Sequence, residues 1–140
     1  MTMRRTLIIL LLFLFSTGAF VFAVDLAPKD EGFGRFFSDF QRAVSSGDKE
    51  KVASMINFAS FTWDENEHLQ QVKTKEAFLK NYDEMFTAKI KKYIATWKPT
   101  KVDENSYFIN WYTKDSEYSL DFTRKQGESF TFVGLTIGTR

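Results

Sequence analysis

The stretch Thr74–Trp97, TKEAFLKNYDEMFTAKIKKYIATW, decides how the chain is read. Its apolar residues Phe78, Tyr82, Met85, Phe86, Ile90, Tyr93, Ile94 and Trp97 recur at three- and four-residue steps. That spacing stacks them along one side of a helix, and such a stripe needs a broad apolar surface to cover it. Thr74 is placed to cap the start, with Glu76 in the first turn where a carboxylate suits the helix dipole. Thr87 can open a second helix, AKIKKYI, so the stretch is expected to bend near Phe86. Lys98-Pro99 ends it, because proline disfavours helical geometry in the residue before it.

The covering surface is expected from the strands that follow. Ser106–Thr113 alternates Tyr107, Ile109 and Trp111 against Phe108, Asn110 and Tyr112. Glu117–Arg124 alternates Tyr118, Leu120 and Phe122 against Glu117, Ser119, Asp121 and Thr123, which predicts one wet face. Short polar turns at Lys114–Ser116 and Lys125–Glu128 suit antiparallel hairpins. In the last strand the apolar set changes parity, from Phe130 and Phe132 to Val133, Leu135 and Ile137. A strand changes faces only with an extra residue, so a bulge or bend is predicted near Val133-Gly134.

Upstream, Phe33, Phe36, Phe37, Phe40, Ala43 and Val44 fit one helical face, and Gly47 suits a left-handed end. Asp48 can cap a shorter helix carrying Val52, Ala53, Met55 and Ile56. Asn57–Val72 reads as a strand or irregular hairpin. At the N-terminus, Arg4 and Arg5 precede the apolar run Leu7–Phe15, and Val21-Phe22-Ala23 supplies a small-residue cleavage pattern. Residues 1–23 are therefore expected to be a signal peptide cut near Ala23, which implies export to the periplasm or beyond. The competing reading is a retained anchor, though the Ser16-Thr17-Gly18 break leaves the run shorter than the ~20 residues that a span wants. Residues 24–32 form a polar lead-in, and residues 33–140 a single domain.

This order of elements is that of an α+β chain. Together with FxxFxxAVSSGDKEKVASMI (Phe37–Ile56), KEAFLKNYDEMF (Lys75–Phe86) and the closing FTFVGLTIG, it resembles the nuclear transport factor two-like superfamily. The resemblance implies N-terminal helices packed in the concave face of a curved antiparallel sheet, a cone with an apolar pocket. It also implies a carboxylate, or a carboxylate with histidine and tyrosine, inside the cone of the superfamily's enzymes. Those motifs do not map onto this chain. A homodimer through the sheet face is a further expectation of the resemblance.

Composition narrows the function. Hydrophobic residues make up 44% and charged residues 26%, the balance of a folded chain rather than a disordered one. Without Arg4 and Arg5, 17 basic residues face 18 acidic ones, a net −1 in place of the whole chain's +1. That balance does not suit nucleic acid, whose phosphates need a net basic face. The absence of cysteine excludes disulfides, thiolate metal sites and a cysteine nucleophile. The cluster Asp64, Glu65, Glu67 and His68 contains metal-ligating types, but adjacent strand residues point to opposite faces and His68 is the only histidine. We expect no metal and no cofactor there. Lys89, Lys91, Lys92, Lys98 and Lys101 read mainly as a solvated helix end, and no stable membrane insertion is expected after cleavage.

Aromatic residues reach 17%, including 16 phenylalanines. Trp63, Tyr82, Phe86, Trp97, Tyr107 and Trp111 are the candidate ligand-lining set, since Trp and Tyr carry polar tips that want partners when buried. The alternative is that they simply fill the core. With no recognisable catalytic set, the sequence points to a binding domain for a small apolar ligand or a protein partner. The alternative is a lyase or isomerase using one buried carboxylate, with Asp83 and Asp121 as candidates.

Overall fold

The computed structural model describes residues 31–139. The expected signal peptide and most of the expected lead-in therefore lie outside the described residues. Among those residues, no helix is long and apolar enough to cross a membrane.

Helix α1 (Glu31–Ser46) carries the phenylalanine stripe into the core. It ends at Gly47, whose φ of 71° lies in the left-handed region that glycine enters without a Cβ penalty. Asp48 then caps α2 (Lys49–Ala53), its carboxylate accepting from the Lys51 amide at 2.9 Å. Within Asn57–Val72 the chain forms a hairpin of β1 (Thr62–Glu65) and β2 (His68–Gln71). Its two turn residues, Asn66 and Glu67, both take positive φ, the backbone that a two-residue hairpin needs.

The deciding stretch is two helices, as its pattern predicts. Helix α3 (Lys75–Met85) closes with the Phe86 amide donating to the Tyr82 carbonyl at 2.8 Å. Thr87 restarts the chain as the cap of α4 (Ala88–Thr96). The stripe is buried through Ile94, with Tyr93 half-buried. Trp97 departs from it. With Lys98-Pro99 behind it, Trp97 takes extended backbone (ψ 146°), leaves the helical register and is 42% exposed.

Strands β3 (Thr100–Asp103), β4 (Ser106–Tyr112), β5 (Ser116–Thr123) and β6 (Thr131–Thr139) complete one six-stranded sheet in the order β2-β1-β6-β5-β4-β3. All neighbouring pairs are antiparallel except β1 and β6, which run parallel. The parity change in the last strand is a bulge. Asp121 pairs with Gly134 and Phe122 with Phe132, so Val133 is the extra residue, and Phe132 and Leu135 both face inward, fully buried. The extra residue also bends the ladder.

The helices cover one face of this sheet. Phe33 of α1 stacks on Tyr107 of β4 at 3.7 Å, Phe78 of α3 meets Phe61, and Tyr93 of α4 stacks on Trp111 at 4.7 Å. The chain is thus α+β, with its helices packed on the inner face of a bent, unclosed, mostly antiparallel sheet.

Candidate functional site

Residues directly opposite on neighbouring strands share a face. Two registers therefore define the inner surface. One row runs Trp63, Leu135, Leu120, Ile109, and the next runs Ile137, Tyr118, Trp111. All of these are buried except Ile137, which is half-buried.

Ring contacts split this interior into two territories among the described residues. Phenylalanines pack continuously from α1 to α3. Phe40 meets Phe122 edge-on at 5.3 Å and Phe132 at 5.1 Å, Phe61 joins Phe132 to Phe78, and Phe86 stacks on Tyr82 at 4.7 Å. A separate stack holds Trp111, Tyr118 at 4.9 Å, Tyr93 and Trp97. Of the six candidate residues, Tyr82, Phe86 and Tyr107 belong to the phenylalanine territory. Trp111 and Trp97 belong to the other stack, and Trp63 lies on β1 opposite Leu135. Trp97 shares the stack only from its exposed rim.

The polar tips distinguish these residues from a simple filled core. Trp63 Nε1, Tyr82 Oη and Trp111 Nε1 are enclosed and have no hydrogen-bond partner in the protein. The side chains carrying them are at most 3% exposed. Burial pushes the Tyr82 phenol up to about 12, with the nearby Asp83 and Asp48 carboxylates adding to the effect. It therefore stays protonated and able to donate at neutral pH. The Lys49 and Lys91 ammoniums lie 5.2 and 5.7 Å from the centre of its ring, and Lys89 lies 4.8 Å from that of Tyr118. The Tyr118 hydroxyl, as a hydrogen-bond partner, raises the Lys89 pKa. Of the lysines expected to form a solvated helix end, Lys89 and Lys91 thus lie over inner aromatic rings.

Neither carboxylate considered for catalysis reaches this interior. Asp83 is exposed on α3 and accepts from Lys49 Nζ at 2.7 Å, which holds its carboxyl below the ordinary range. Strand alternation turns Asp121 to the outer face, in the row Thr62, Gly134, Asp121, Phe108. There burial raises its pKa, and the Ser119 hydroxyl, donating at 3.4 Å, opposes the shift. A Cβ on Gly134 would sit 3.5 Å from both Asp121 Oδ2 and Thr62 Oγ1, an ordinary van der Waals contact.

The acidic turn does not converge. Asp64 lies in the outer row beside Thr136, whereas Glu65, Glu67 and His68 are exposed. No group of three or more metal-ligating side chains comes together among the described residues. A groove of about 330 Å3 opens beside α1, lined by Arg35, Phe36, Asp39, Arg124, Glu128 and Phe130. Its charges are mixed, and the Arg124 guanidinium lies over Phe130 at 4.4 Å while donating to Asn105 and the Glu104 carbonyl.

The pattern of the sequence misses two contributors to the inner site. Tyr118 is visible in the strand alternation but not as a stacking partner of Trp111, and Lys89 gives no sign of reaching it.

No family model matches the chain, and no curated protein matches it. Among solved structures, a ketosteroid isomerase candidate from Shewanella frigidimarina is similar over 78% of this chain and 96% of that one. The identity is 11% and the TM-score 0.47.

Proposed function

We propose that this chain is an exported, non-enzymatic binding domain whose inner face takes up a small apolar molecule. One observation carries the reading. Trp63 Nε1, Tyr82 Oη and Trp111 Nε1 are buried on the helix-covered side of the sheet and unpartnered by protein. A buried polar group left unsatisfied costs roughly 1–3 kcal/mol, and whole domains are stable by only about 5–15 kcal/mol. Three such groups are a heavy burden for a domain of this size unless something else satisfies them. A molecule with an apolar body and a polar group would do so, and the aliphatic inner residues Leu120, Leu135 and Ile137 suit that body.

Catalysis is the weaker reading, because Asp83 and Asp121 both sit away from this face. Export rests on the sequence of residues 1–23. Native mass spectrometry of protein recovered from an exporting host, beside the same protein refolded without ligand, tests the reading. A mass increment present only in the first sample supports it. Identical masses, with no small molecule taken up by either sample, overturn it.

A further inference from the structure

Thr87–Val102 carries five lysines and no acidic residue. Lys89 is held by Tyr118 and Lys91 is half-buried over Tyr82, whereas Lys92, Lys98 and Lys101 are exposed. Two apolar side chains are exposed in the same segment, Trp97 at 42% and Val102 at 61%. Trp97 is seated by its edge contact with Tyr93, which stacks on Trp111. Val102 is the extra residue of a bulge in β3. Lys101 pairs with Tyr107 and Asp103 with Ser106, so Val102 opposes no residue of β4. An edge strand broken by a bulge is a poor template for another strand, which argues against a peptide adding to the sheet here.

Strand β4 sets the length of this rim. Trp97 meets it through Tyr93 at Trp111, and the Lys101 ammonium lies 6.0 Å from the ring centre of Tyr107 at the other end. The four residue steps between Tyr107 and Trp111 span roughly 13 Å. The chain outside the described residues joins the domain at the Tyr107 end, since α1 begins at Glu31 and Phe33 stacks on Tyr107 at 3.7 Å. The apolar run Leu7–Phe15, expected to enter the exporting membrane, is therefore connected to the domain beside Lys101.

We infer that this rim, Trp97 and Val102 flanked by Lys92, Lys98 and Lys101, docks on an anionic lipid surface. An indole favours the headgroup level, where its ring and its N–H both find partners, and each lysine near an anionic leaflet adds its own attraction. Asp103 and Glu104 follow at the turn into β4, where the Asp103 carboxylate accepts from the Asn105 amide at 2.7 Å. Docking of this kind is peripheral and needs no spanning helix. It is independent of what the inner face holds.

Co-sedimentation of protein recovered from the exporting host tests this, with vesicles of phosphatidylglycerol and phosphatidylcholine in equal parts against phosphatidylcholine alone. The expected result is binding to the anionic vesicles tighter by about tenfold or more, and lost at high salt. K92E/K101E and W97A should each weaken that binding by about fivefold or more. K73E/K80E makes the same change in net charge at exposed positions elsewhere and should keep binding within about twofold. Cooperative urea unfolding checks that each variant is folded. Equal binding to both vesicle types, or none to either, would overturn the inference. Equal losses in K92E/K101E and K73E/K80E would overturn it too, since net charge alone would then account for the attraction.

Discussion

Trp63 and Trp111 point to the same side of the sheet from strands separated by two others, and each buries an indole nitrogen that no protein group accepts from. Trp97, the third tryptophan, lies on the exposed rim. The contrast makes it an internal control for any measurement on the other two.

The bulge at Val133 sets the phase of β6. Deleting Val133 leaves no way for Phe132 and Leu135 both to face inward, so one large apolar side chain is turned to the outer face. We expect the deletion to abolish cooperative urea unfolding followed by tryptophan fluorescence. V133T keeps the residue count at a half-buried position and should cost less than about 1 kcal/mol.

Phe40 is the hinge of the phenylalanine territory, fully buried against Phe86, Phe122 and Phe132. F40A leaves a cavity that neighbouring rings cannot refill without shifting, and it should cost about 3–5 kcal/mol. F36A, at a half-buried position on the same helix, should cost less. Equal losses in the two variants would contradict a core centred on Phe40.

Thr74 and Thr87 cap the two halves of the deciding stretch, accepting from the Ala77 and Ile90 amides at 3.2 and 3.4 Å. Alanine at either position should cost about 1 kcal/mol in thermal unfolding. If α3 and α4 were one continuous helix, T87A would be neutral or stabilising, because alanine is the better interior residue.

Asp121 makes stability depend on pH in a direction opposite to that of a salt-bridged carboxylate. Burial raises its folded pKa above the ordinary 3.8. Below 3.8 both states hold the proton, and the group has no effect on the balance. As pH rises from the unfolded to the folded value, the unfolded chain loses its proton first, so stability falls and stays lower above that window. D121N removes the penalty. It should unfold at a higher urea concentration than the unaltered protein at pH 7, with the difference shrinking towards zero at pH 3.

Much of this architecture was legible because it follows from period and parity. The break at Phe86-Thr87, the Gly47-Asp48 turn and the extra residue at Val133 are all local events with local signals. Strand β3 was not legible, because all four of its residues are exposed at the sheet edge and show no apolar alternation. The parallel pairing of β1 with β6 was hidden for another reason. It joins segments about seventy residues apart, and no local pattern encodes a partner. Among the candidate residues, Tyr82, Phe86, Tyr107 and Trp111 were legible as interior by their phase, whereas Trp63 lies in a stretch without a clear period. Trp97 has the same helical phase but follows the last turn, where Pro99 ends the register.

The most direct test of the central claim is the position of the indole N–H resonances in 15N-labelled protein, assigned with W63F, W97F and W111F. Protein recovered from the exporting host is compared with the same protein after denaturation and refolding without ligand. If the inner face holds an acceptor-bearing molecule, the Trp63 and Trp111 indole protons lie downfield in the first sample relative to the second, and Trp97 coincides in both. Coincidence of all three resonances in the two samples would contradict the account.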